Sequence, residues 1–95
     1  MQQTIDYLKK LTSIPSPTGF TREVADYLVE ELERLGYSPI RTNKGGVNVI
    51  VKGKDDHKHR VVTAHVDTLG AMVRAVKSDG RLKMAKIGGY PWNMI

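Results

Sequence analysis

Val61-Val62-Thr63-Ala64-His65-Val66-Asp67-Thr68-Leu69-Gly70 begins as an apolar run and turns polar half-way along. Arg60 to Val66 predicts a strand whose nearly continuous apolar character suits an interior position, covered on both faces. Its carboxyl end carries His65 and Asp67. In α/β sheets, ligands bind outside the carboxyl ends of the strands. Residues two apart on an extended backbone share a side, so these two side chains are expected to point the same way.

Upstream, the period is helical. Ile5, Leu8 and Leu11 form a narrow apolar stripe, with Tyr7 beside it, predicting a helix over Gln3 to Thr12. Ser13-Ile14-Pro15-Ser16-Pro17-Thr18-Gly19 ends it, because closely spaced prolines and a glycine do not continue a helix. Val24, Leu28, Leu32 and Leu35 then share one face of a second helix, Phe20 to Leu35, with acidic residues opposite. Thr18 or Thr21 is placed to cap its start, and Gly36 to stop it.

Beyond Gly36 the period shortens. Tyr37 to Thr42 predicts a short strand, Asn43-Lys44-Gly45-Gly46 a turn, and alternating Val47, Val49 and Val51 a strand buried on at least one face. Lys52 to His59 reads as a hydrophilic turn. Downstream, Leu69 to Val76 and Arg81 to Ile87 predict two strands joined by the hairpin turn Ser78-Asp79-Gly80, before Gly88-Gly89-Tyr90-Pro91-Trp92 breaks the pattern. The expected class is α/β: two N-terminal helices packed on a mixed β-sheet.

A chain of 95 residues makes at most one small domain with a modest core. Cysteine is absent, which excludes disulfides, thiolate metal sites and cysteine nucleophiles. No apolar run approaches the roughly 20 residues of a membrane span. Met1-Gln2-Gln3-Thr4-Ile5-Asp6 does not read as a signal peptide, so no membrane partner and a cytoplasmic location are expected. The net charge of +5 would suit nucleic acid, but the basic residues are scattered singly among acids, as in Lys52-Gly53-Lys54-Asp55-Asp56, so no nucleic-acid partner is expected.

The His65–Asp67 pair admits several chemistries. A neutral imidazole holds a divalent metal through one nitrogen while a neighbouring carboxylate fixes the ring and raises its basicity. Asp67 itself is an alternative ligand or proton-transfer partner. The bland alternative is a core histidine satisfied by an adjacent acid, since a bare His-x-Asp is a weak motif. Other candidates read as structural. His57-Lys58-His59 is solvated surface, because two ligands alone make a weak site. Gly45-Gly46 and Gly88-Gly89 lack the Lys-Ser/Thr of a phosphate loop. Ser16 lies between prolines with no partner base. Met72 and Met84 are expected to fill gaps in the core, and Trp92 to serve packing or an interface.

The run Thr63 to Val73 resembles the metal-binding strand of the M42 family of metallo-aminopeptidases. Leu8 to Thr12 with Pro15 to Phe20, Gly45 to Val49, Ser78 to Leu82 and Ile87 to Tyr90 are similar, in order, to that family's first helix and proline-rich turn, first strand pair, hairpin and glycine pair. This resemblance implies a hydrolase, a co-catalytic aminopeptidase with two divalent metal ions, zinc or cobalt, acting on peptides and assembling as a homo-oligomer. It implies that His65 is a metal ligand and Asp67 the catalytic acid that holds it. Family members labelled glutamyl aminopeptidase or endoglucanase exist, but no carboxylate pair suited to glycoside cleavage is identifiable here.

A two-metal site needs ions roughly 3.5–4 Å apart, held by several ligands. The family's bridging aspartate, general-base glutamate and remaining ligands lie downstream of the matched region. Residues 1–95 are therefore expected to be the N-terminal part of a catalytic domain, a fragment without the inserted domain and C-terminal catalytic half. Alone, it is expected to bind no metal stably and to be inactive. It is expected to leave Val61, Val62 and Val66 uncovered, and either to self-associate through open strand edges or to be marginally stable. The competing expectation is a non-catalytic interaction or assembly module.

Overall fold

The computed structural model describes residues 1–55 and 57–94. Asp56, within the hydrophilic turn expected over Lys52 to His59, and Ile95 lie outside the described residues. The class is α/β. Helix α1 spans Gln2–Ser13 and helix α2 spans Arg22–Arg34. Strands β1 (Ile40–Arg41) and β2 (Val47–Asn48) form one antiparallel pair. Strands β3 (Gly70–Val76) and β4 (Leu82–Ile87) form another, and a 3-10 turn follows at Trp92–Met94.

Both helices form where their periodicity puts them. Thr21 precedes α2, but its side chain makes no capping hydrogen bond. The C-terminus of α2 is closed more firmly. Gly36, at φ +87°, donates its N–H to the Glu33 carbonyl, and Tyr37 donates to that of Leu32, a paired closure that uses the left-handed region glycine enters without strain. Side chains tie the helices together. The Tyr7 hydroxyl donates to Glu31 at 2.6 Å, Glu31 accepts from the Arg34 guanidinium, and Lys10 Nζ lies 5.4 Å from the centre of the Tyr27 ring. Arg41 on β1 pairs with Asp26, anchoring the first hairpin on α2.

The second hairpin turns at Ser78–Gly80, where Arg81 donates its N–H to Asp79 Oδ1 at 3.1 Å. Register slips by one residue between Val73 and Ala75, a bulge that adds local twist. Tyr90 is buried and donates its hydroxyl to the Gly70 carbonyl at 2.5 Å, fastening the chain after β4 back onto β3.

Several expectations are corrected. Residues 60–66 form no strand: among the described residues, no neighbour supplies the ladder that extended backbone needs. The strands form two separate antiparallel pairs rather than one mixed sheet, and a parallel bridge, Pro17 to Thr68, ties the turn after α1 to the segment before β3. Met72, 61% exposed, and Met84 do not fill a core. Val51 is also exposed, whereas Val47 and Val49 are half-buried. The buried apolar set among the described residues is small: Ile14, Val24, Ala25 and Tyr90. Val61 and Val62 are uncovered, 84% and 95% exposed, while Val66 is half-buried.

Candidate functional site

The turn between the helices and the segment leading into β3 meet at one place. Ser16, whose exposure is 0%, donates its hydroxyl to the Val66 carbonyl at 2.7 Å. Thr68 returns a backbone N–H to the Ser16 carbonyl at 2.9 Å. Pro17 pairs with Thr68 as the parallel bridge. Behind it, Gly70 faces Pro17 so closely that an added Cβ would lie 2.6 Å from the Pro17 Cβ, so no side chain fits there without moving the turn. The turn is itself closed by Phe20 N–H donating to the Pro17 carbonyl at 2.8 Å.

The residue bracketed by these bonds is Asp67. Its Oδ1 lies 3.1 Å from His65 Nδ1, and its backbone carbonyl 3.3 Å from the same nitrogen. A carboxylate and a carbonyl only accept, so Nδ1 carries the proton that joins them, and the lone pair of a neutral ring then resides on Nε2. The spacing of two therefore places these side chains together, as expected from sequence. They face solvent: the side chains of His65 and Asp67 are 84% and 49% exposed. The Thr18 hydroxyl lies at the outer limit of hydrogen bonding from Asp67 Oδ2, at 3.5 Å.

This arrangement has the chemistry of a metal-ligating histidine: one ring nitrogen is anchored on a carboxylate, on a side chain open to solvent. Among the described residues, no group of three or more His, Asp or Glu side chains gathers to hold an ion. His57 and His59 are exposed surface residues and join no such cluster. Ser16 is the functional candidate that sequence reasoning missed. Its partner is 50 positions away, and a serine between prolines carries no local sign of it.

Residues 45–95, more than half of the chain, match the model of the M42 glutamyl aminopeptidase family. This chain belongs to the M42 family. It is 47% identical over all 95 residues to a Bacillus subtilis protein named "Putative aminopeptidase YhfE", covering 28% of that protein. It is 37% identical over 92 residues, 96% of its length, to the glutamyl aminopeptidase of Lactococcus lactis, covering 25% of it. It is 31% identical over 85 residues, 88% of its length, to the lysyl aminopeptidase of Pyrococcus furiosus, covering 24% of it. The M42 chain thus spans about a quarter of the length of the curated relatives it matches. No helix among the described residues is long and apolar enough to cross a membrane.

Proposed function

We propose that this chain is the N-terminal part of the catalytic domain of a co-catalytic, two-metal aminopeptidase that removes N-terminal residues from peptides. One observation carries the reading: His65 is anchored through Nδ1 on Asp67 and presents Nε2 outward. In it, His65 is a metal ligand, and Asp67 is the catalytic acid that orients and polarises the ring. Divalent ions such as zinc or cobalt, when bound, supply Lewis acidity toward the scissile carbonyl. The remaining ligands come from segments equivalent to the larger part of the relatives that this chain does not match. The exposed Val61 and Val62, carried into the site by the same segment, are the surface those segments would cover.

Relatives named for glutamyl and for lysyl substrates both match, so this reading assigns no residue preference. Homo-oligomeric assembly accompanies this reading through the family resemblance, and a cytoplasmic location through the N-terminal sequence.

The test is a chimera in which residues 1–95 replace the matched segment of the Lactococcus lactis enzyme. The 95-residue chain alone should not hydrolyse aminoacyl-nitroanilides with zinc or cobalt, whereas the chimera should. His65→Ala in the chimera should lose bound metal and turnover together, by two orders of magnitude or more in kcat/KM, ~3 kcal/mol of transition-state stabilisation. Turnover by the 95-residue chain, or a His65→Ala chimera that keeps metal and activity, would overturn the proposal. A folded chimera with neither metal nor activity would favour an assembly module.

A further inference from the structure

The geometry points to Ser16 as a positioning residue for the His65–Asp67 pair, an inference that rests on the reading of those two residues given above. Among the described residues, Ser16 makes no hydrogen bond to either side chain. It holds the backbone on both sides of Asp67: its hydroxyl donates to the carbonyl of Val66, and its own carbonyl accepts from the N–H of Thr68. Residue 67 is thereby pinned at the peptide before it and the peptide after it. No strand ladder does this work, since residues 60–67 belong to no sheet among the described residues.

The reason for a serine follows from the surroundings. The side chain is fully buried, so water does not replace its hydroxyl, and an apolar substitute leaves the Val66 carbonyl without that donor. The flanking prolines restrict the backbone and hold the hydroxyl and carbonyl in one orientation. Pro17 bears on Gly70 at a distance that tolerates no Cβ, which keeps the clamp seated against the segment it grips. The position of Asp67 Oδ1, 3.1 Å from His65 Nδ1, is the downstream consequence. Loosening the clamp frees the carboxylate to swing, and the ring then loses the acceptor that selects the Nδ1–H tautomer and leaves Nε2 free for a ligand.

The test is nitrogen-15 NMR of the imidazole rings in the full 95-residue chain, without metal, at a pH above the ordinary imidazole range. His57 and His59 serve as exposed references within the same molecule. In the unsubstituted protein, His65 should show a protonated Nδ1 and an unprotonated Nε2, well separated from the reference rings. In Ser16→Ala, its two shifts should move toward those of His57 and His59, and the Thr68 amide should exchange faster, while amide shifts within α1 and α2 stay in place. Gly70→Ala leaves the hydroxyl intact but pushes Pro17 away, and should cause the same movement. Ser16→Cys keeps a γ atom in place, somewhat larger and a much weaker donor, and serves as the second variant if Ser16→Ala disturbs the helices.

A folded Ser16→Ala or Ser16→Cys protein whose His65 ring is indistinguishable from that of the unsubstituted protein would overturn the inference and leave the His65–Asp67 pairing standing. If the unsubstituted His65 already matches His57 and His59, the pairing itself fails, and the role of Ser16 with it.

Discussion

At the scale of single residues, the clearest electrostatic feature lies away from the candidate site. Glu31 joins the two helices by accepting from Arg34 and from the Tyr7 hydroxyl, and these bonds, Arg34's first, hold its carboxyl down from 4.5 to about 2. A carboxyl depressed on folding stabilises the native state above its unfolded value, and that contribution disappears as the pH falls through the folded one. The melting temperature should therefore fall as the pH drops from 4.5 toward about 2. Glu31→Gln should lower it at neutral pH and flatten this acid limb. Parallel melting curves for the two proteins across that window would show that the bond network contributes nothing to stability. The two-residue spacing of His65 and Asp67 pointed to their pairing, although the strand that this reasoning assumed does not form. Ser16 was not legible, because what gives it meaning is a segment 50 residues further on.

At the scale of elements, the helices were readable from sequence to within about two residues, because their apolar spacing and stop signals are local. The end of α2 shows this best. Gly36 sits at φ +87°, where a Cβ strains the backbone though no atom lies within 4 Å of it. Gly36→Ala should therefore destabilise the protein by about 1 kcal/mol through the backbone alone. Chemical denaturation checks this, and an unchanged midpoint would mean that α2 ends some other way. Strands were read less well for a physical reason. Val61 and Val62 have the composition of an interior strand, but a strand exists only where a neighbour accepts and donates its hydrogen bonds, and composition does not say whether that neighbour is at hand. The hairpin β3–β4 carries its own partner and turn, and it formed as its sequence indicated.

At the scale of the whole molecule, the chain is elongated, with a radius of gyration of 17.8 Å and extents of 63 × 29 × 22 Å. A compact domain of this length has a radius of gyration of about 12 Å. The buried apolar set is correspondingly thin, and the segment bearing His65 runs along an open face. On the proposed reading, this arrangement contributes one corner of a site rather than a closed one. The metal itself is the sharpest probe of that arrangement. Anomalous diffraction at the zinc edge from crystals of the Lactococcus lactis chimera would locate the ion relative to the ring. A zinc peak about 2.0–2.1 Å from His65 Nε2, with Nδ1 still on Asp67, is the expected result. Zinc bound elsewhere, with the His65 ring free of it, would contradict the assignment of this chain to one side of a two-metal peptidase centre.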